Sequence, residues 1–289
     1  MSDFQKQTVQ WFPGHMAKTR RLIKESLKSV DAVTEILDAR IPLASRNPEI
    51  GEITAGKPRI ILLNKCDVAD EKVTSQWISY FRNNGCEAMA VDCRSGRGLN
   101  KYNDLIRKVL AEKIQSNIDK GMPGKALRVM VVGIPNTGKS SFINKMAGRV
   151  RAKVADQPGV TRNNQWFNIG NGIELLDTPG VLWPKFDDPV VGDKLAFIGS
   201  VKDAVIDIET MAVRLIDVLK SGYPQMLADR YKISGFEDMQ SWEILEMIGR
   251  KRGMLISGGE VNTERASVML LDEYRAGKLG RLSLEFPKG

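Results

Sequence analysis

The chain has 289 residues, 42% hydrophobic and 27% charged, a balance that excludes a disordered or fibrous protein and leaves room for one ordinary domain plus a smaller one. Its formal charge of +8 points to a polyanionic partner. The excess lies early in the chain: 20 basic residues face 15 acidic ones in residues 1–120, 9 face 5 in 121–189, and 14 face 15 thereafter. Apolar runs such as Val129 to Val132 reach only four residues, far short of the roughly 20 a membrane helix needs. The N-terminus also lacks the apolar stretch of a secretory signal, so the expectation is a cytoplasmic protein without a membrane partner. Cys66, Cys86 and Cys93 are odd in number and lack metal-ligand spacing, which reads as reduced thiols rather than a disulfide or zinc framework.

In chain order, Trp11-Phe12-Pro13-Gly14-His15-Met16 predicts a turn leading into a helix over 16–30. That helix carries Leu22, Ile23, Leu27 and Val30 on one stripe and Lys18, Arg20, Arg21, Lys24 and Lys28 on the other. Trp11 and Phe12 suit either packing on the sheet or stacking on RNA bases. Strands are expected at Val33–Leu37, Arg59–Leu63 and Ala88–Val91, with helices near 72–84 and 100–118. That alternation predicts a parallel sheet flanked by helices. The stretch Lys120-Gly121-Met122-Pro123-Gly124-Lys125 breaks the last helix, and a strand over Leu127–Val132 follows. Trp166–Ile169 and Ile173–Leu176, split by Gly170-Asn171-Gly172, read as a hairpin. Beyond about residue 185, amphipathic patterns near 203–220, 241–250 and 263–277 predict a small all-α domain. The expected division is an N-terminal segment and basic helix over 1–30, an α/β domain over 31–185 and a helical domain over 186–289.

Gly133-Ile134-Pro135-Asn136-Thr137-Gly138-Lys139-Ser140 fits the P-loop pattern and lies between a strand and a helix expected to start near Ser141. Backbone N–H groups over Asn136 to Ser141 would cradle phosphate, Lys139 would reach the β and γ phosphates, and the Ser140 hydroxyl would take a position on Mg²⁺. Asn64-Lys65-Cys66-Asp67 at a strand end reads guanine. The Asp67 carboxylate accepts from guanine N1–H and its exocyclic amine, whereas adenine offers neither donor, so GTP is favoured over ATP. Asp177-Thr178-Pro179-Gly180 supplies Asp177 to Mg²⁺ through water and the Gly180 N–H to the γ-phosphate, and Thr161 is the natural second hydroxyl for the metal. Asp92 and Cys93, in Asp92-Cys93-Arg94-Ser95-Gly96, sit where a base-supporting loop belongs.

The motif order is a rotation of that in Ras-like GTPases: the guanine and base-supporting loops precede the P-loop, and the threonine and Asp177-Thr178-Pro179-Gly180 follow it. A doubly wound, mostly parallel P-loop GTPase domain in circularly permuted order is therefore expected, its original termini joined through 119–126. The segment that senses γ-phosphate then leads straight into the helical domain. With Trp11-Phe12-Pro13-Gly14-His15-Met16, Asp38-Ala39-Arg40-Ile41-Pro42 and Asp177-Thr178-Pro179-Gly180-Val181-Leu182-Trp183-Pro184, the whole chain closely resembles the YlqF/RbgA family of circularly permuted ribosome-biogenesis GTPases. The resemblance implies GTP hydrolysis to GDP and phosphate coupled to maturation of the large (50S) ribosomal subunit, and a helical domain that helps dock on its rRNA. The 92–96 loop departs from the Ser-Ala-Lys pattern of standard GTPases, and the C-terminal third is not net basic, which turns attention to the N-terminal helix and to local patches such as Arg250-Lys251-Arg252. Ras-like enzymes orient the attacking water with a glutamine after the D-x-x-G motif, where this chain has Val181 and Leu182. Resemblance to other GTPases with an asparagine at position 136 implies a stimulatory K⁺ partly held by Asn136. His15, the sole histidine, is the other candidate for the catalytic step. The expected protein is a monomeric GTPase; the alternative is a non-catalytic GTP-dependent RNA-binding module, which the missing glutamine permits.

Overall fold

The computed structural model describes residues 13–148, 165–180, 182–183 and 188–287, with backbone alone for 13–17. The described residues fall into two compact units: those up to 183 together with 285–287, and 188–284.

The first unit is built on strands β1 (Ala32–Asp38), β2 (Arg59–Asn64), β3 (Glu87–Ala90), β4 (Leu127–Val132), β5 (Gln165–Asn168) and β6 (Ile173–Asp177). They form one sheet in the order β3-β2-β1-β4-β6-β5, parallel except for the β5–β6 hairpin. The central strands are apolar on both faces because helices cover both. Ile60, Leu62, Val129 and Val131 point into one core with Tyr102 and Phe142, which belong to helices α4 (Tyr102–Val109) and α6 (Lys139–Met146). Their neighbours in the chain point the other way: Ile61 and Leu63 meet Trp77 and Phe81 of helix α3 (Glu71–Asn83), while Met130 and Val132 meet Ile23 of helix α1 (Pro13–Ser26). On the first face the Tyr102 ring meets Phe142 edge-on at 4.9 Å, and its hydroxyl lies 2.7 Å from that of Thr34.

Every strand of the motif set was anticipated within one or two residues. Helix α1 starts at Pro13, inside the stretch read as a turn, and ends at Ser26 before a 3-10 turn over Leu27–Ser29. The single helix expected near 100–118 is two, α4 and α5 (Ala111–Asp119), hinged at Leu110. Helix α2 (Pro48–Ile53) was not anticipated.

The last residues close the first unit. Glu285 is buried, its carboxylate accepts from the backbone N–H groups of Leu43 (2.7 Å) and Ala44 (3.1 Å), and its carbonyl accepts from Trp77 Nε1 at 3.1 Å.

The second unit holds helices α7 (Pro189–Phe197), α8 (Ile208–Gly222), α9 (Pro224–Tyr231), α10 (Ser241–Lys251) and α11 (Thr263–Arg275). Leu215, Ile216 and Leu219 of α8, Ile244 and Ile248 of α10, and Leu270 and Leu271 of α11 are fully buried. Side-chain caps start these helices: Asp207 accepts from Thr210 N–H, Asn262 from Arg265 N–H, and Gln240 and Glu243 form a reciprocal capping box. Arg252, in the basic triplet, stacks over the Tyr231 ring at 5.3 Å and pairs with Glu273 at 3.7 Å, so its charge is partly committed within the unit. No helix among the described residues is long and apolar enough to cross a membrane.

Candidate functional site

Five parallel strands deliver their C-terminal loops to one edge of the sheet: 38–47 after β1, 64–67 after β2, 91–97 after β3, 133–139 after β4 and 177–180 after β6. The strand order reverses between β1 and β4, where open α/β sheets place their ligand crevice. All the described chemistry-bearing loops named in the sequence therefore converge.

Around the P-loop, Gly138 has φ +96° and caps α6 without a side chain. The N–H groups of Lys139, Ser140 and Ser141 then lie in the first turn, where a helix has no internal acceptors for them, and they are available to an anion. A Cβ at Gly138 would lie 2.1 Å from Asn64 Nδ2, and one at Gly133 would lie 2.8 Å from the Ile36 carbonyl, so neither position admits a side chain. Asn136 is half-buried in the left-handed region at φ +62°, and Thr137 Oγ1 donates to the Ile134 carbonyl at 2.9 Å. Lys139, 6% exposed, forms an ion pair through Nζ with Asp177, 1% exposed. Burial pulls the Lys139 ammonium below its ordinary pKa, and the Asp177 carboxylate opposes that shift. Thr178 anchors the same loop by donating to the Val131 carbonyl at 2.8 Å, and a Cβ on Gly180 would lie 3.2 Å from the Gly133 carbonyl.

Asn64 is the keystone between loops. Its Nδ2 donates to the Thr137 carbonyl at 2.7 Å, and its Oδ1 accepts from Cys93 N–H at 2.9 Å, which ties the P-loop to the base-supporting loop. Asp67, three residues further along the same loop, is exposed. Cys66 contributes backbone, its N–H donating to the Val91 carbonyl at 3.2 Å; its thiol is buried, and burial raises its pKa. The Cys93 thiol is likewise buried and pushed up, so its part in the loop is its N–H. Asp92 folds the loop by accepting from the N–H groups of Arg94 (2.8 Å) and Ser95 (3.3 Å). Burial opposes its charge, but hydrogen bonds from the Ser95 side chain and these N–H groups outweigh it and hold the carboxyl below its ordinary pKa.

Thr161 and Val181 lie outside the described residues. His15 falls in the first turn of α1, and its side chain is also outside them. Leu182, 1% exposed, belongs to the core.

Asp38 was singled out in the sequence only as part of a motif, and its role comes from the structure. It is fully buried at the end of β1, accepts from Arg40 Nε and Nη2 at 2.9 Å each and from Arg40 N–H at 3.1 Å, and pairs with Lys65 Nζ at 3.1 Å. Lys65 sits at φ +60°, and Asp38 pins its side chain. A carboxylate ending a buried strand beside the guanine-reading strand is the signal that would have found it. Burial favours neutral Asp38, but Arg40 and Lys65 overcome that and hold it well below the carboxylate range. Asp38→Asn is expected to cost about 3–5 kcal/mol, because Arg40, 1% exposed, loses its buried counter-charge. The contribution from ionised Asp38 is complete above about pH 4, the unfolded value, and is lost only as pH falls through the lower folded value. Urea midpoints should therefore separate the two proteins at pH 7 and converge in strong acid.

Comparison with known proteins agrees with this geometry. The profile of the 50S ribosome-binding GTPases matches residues 128–244. The ribosome biogenesis GTPase A of Priestia megaterium is 46% identical over 282 residues, spanning 97% of each chain. The GDP-bound structure of TM YlqF is 32% identical with a TM-score of 0.65, covering 93% of this chain and 100% of that one. GNP-bound YlqF from T. maritima gives 0.64 at 32% identity, covering 94% and 99%. With likeness running end to end and the nucleotide motifs gathered on one sheet edge in rotated order, the chain belongs to the ribosome biogenesis GTPase A (YlqF/RbgA) family and is a circularly permuted P-loop GTPase.

Proposed function

We propose that this GTPase hydrolyses GTP when stimulated by the large ribosomal subunit, binds that subunit's rRNA in its GTP-bound form, and acts as a cytoplasmic monomer. The observation that carries the reading is the placement of Lys139 and Asp177 side by side, at the start of α6 and the end of β6, in a loop that precedes the helical unit in sequence. A group that replaces the Lys139–Asp177 contact with contacts of its own acts directly on the segment entering that unit. The relatives' names supply the ribosomal partner, and their GDP- and GNP-bound structures support the nucleotide.

In this reading Asp67 accepts from guanine, Asn64 and Lys65 hold the base-reading loops, and Cys66, Asp92 and Cys93 shape them. Lys139 reaches the β and γ phosphates, while the N–H groups of Asn136, Thr137, Gly138, Ser140, Ser141 and Gly180 line their path. The donor chemistry fits Mg²⁺: the buried Asp177 carboxylate would act through water and the Ser140 hydroxyl would bind the ion, with the Thr161 hydroxyl as the second such donor. When bound, Mg²⁺ neutralises charge on the β and γ oxygens. Asn136 contributes to a K⁺ site that adds positive charge where the transition state needs it, and His15 orients the attacking water.

The test is phosphate release in potassium and in sodium buffer, with and without purified large subunits. Potassium-dependent turnover that subunits stimulate is expected. Tight GTP binding with no turnover in any buffer would replace the enzyme with a binding module, and a His15→Ala protein with unchanged stimulated turnover would remove His15 from the chemistry.

A further inference from the structure

The opposite edge of the sheet carries a second basic feature. The segments leading into β1, β2 and β4 meet there around a cleft of about 350 Å³ lined by Lys28, Lys57, Lys113, Lys125 and Arg128 against a single carboxylate, Asp31. Because these residues precede parallel strands whose other ends carry the nucleotide loops, the cleft lies at the far pole of the first unit. Some of the charge is committed: Lys57 Nζ donates to the Val30 carbonyl at 2.7 Å, Lys113 pairs with Asp31 at 3.4 Å, and Arg128 pairs with Glu174 at 2.9 Å. Lys28 and Lys125 are exposed and make no ion pair among the described residues. Against Asp31 and Glu174, the five cations still leave excess positive charge, carried chiefly by Lys28 and Lys125, and that excess attracts an extended anion.

An aromatic platform adjoins it. Arg128 also stacks over the Trp166 ring at 5.1 Å, and Trp166, on edge strand β5, keeps 43% of its surface exposed. The ring's exposed area is open to a planar partner. A cationic cleft continued by a guanidinium-stacked indole offers phosphate contacts and a stacking face together, which suits single-stranded or loop RNA better than an acidic peptide or a lipid surface.

We propose that this pole is a second RNA-binding surface, in which Lys28 and Lys125 contact consecutive backbone phosphates and Trp166 stacks on a neighbouring unpaired base. It goes beyond the nucleotide-dependent contact proposed above and rests on that reading only for RNA as the class of partner.

The test is anisotropy of a fluorescein-labelled stem–loop RNA with a single-stranded tail, titrated across a salt series with the full chain and with a Lys28→Glu/Lys125→Glu protein. Both substituted residues are exposed, so the fold should be retained, and fluorescent-GTP affinity and unstimulated turnover should match the parent. Expected is a loss of about tenfold or more in RNA affinity, with the salt slope falling by about 1.5 to 2. Trp166→Ala should weaken binding of the tailed RNA more than that of the blunt stem–loop. Unchanged affinity and slope in the double variant, with parent binding intact, would overturn this surface and leave the RNA reading standing. A parent chain that binds neither RNA would overturn both. Displacement of the RNA by poly-glutamate at equal charge concentration would overturn the assignment in favour of an acidic protein partner.

Discussion

Lys139→Ala is expected to lower GTP turnover by at least about 10²- to 10³-fold, with and without large subunits, because one ammonium placed against developing phosphate charge in a water-poor site contributes on that scale. The side chain is 6% exposed and already ion-paired to the carboxylate that ends the neighbouring strand, so its Nζ is held in place before nucleotide arrives. Lys139→Arg should not rescue, since a planar guanidinium does not fit where a compact ammonium is enclosed. Phosphate release and nucleotide titration, with circular dichroism to confirm folding, check both variants. Turnover within about tenfold of the parent would remove Lys139 from the phosphate site.

Asp67→Asn is expected to weaken GTP binding by about 10²- to 10³-fold and to improve binding of xanthosine triphosphate. The carboxylate can only accept, which matches the two donors on guanine's N1 and exocyclic amine. Xanthine carries a carbonyl in place of that amine, and an asparagine amide can donate to it. The loop's frame should survive the exchange, because it is carried by Asn64, whose bonds to Thr137 and Cys93 do not involve position 67. Competition of both triphosphates against a fluorescent guanine nucleotide reads the result. Equal weakening for both bases would show that Asp67 holds the loop rather than reading the base.

Legibility in the sequence followed the range of the interactions involved. The strands were legible because buried parallel strands are short continuous apolar runs, and the nucleotide loops because each needs particular residues at fixed spacing within a few positions. Helices α2, α7 and α9 fall outside the stretches expected to be helical, and they share a feature: each opens on a proline at its first turn, after Asn47, Asp188 and Tyr223 respectively. Proline at that position forfeits only an N–H that the helix could not use. Helix α1 likewise opens on Pro13, ahead of the helix expected from residue 16. Contacts between distant parts of the chain left no local signal. Asp38 finds Lys65 across two adjacent strands, and Glu285 reaches Leu43 and Ala44 from more than 240 positions away, a separation of 241 residues for Ala44 and 242 for Leu43.

That last contact sets an order of events during synthesis. The first unit needs Glu285 for the indole N–H of Trp77 and for the N–H groups of Leu43 and Ala44. Yet Glu285 leaves the ribosome only after the roughly one hundred residues from 186 to 284 have been made. At about 5–20 residues per second, that is a wait of roughly 5 to 20 s. During it, the sheet and its nucleotide loops can assemble while the pocket around Trp77 stays unfinished, so a nascent chain acquires this stitch only after the whole helical unit has been made.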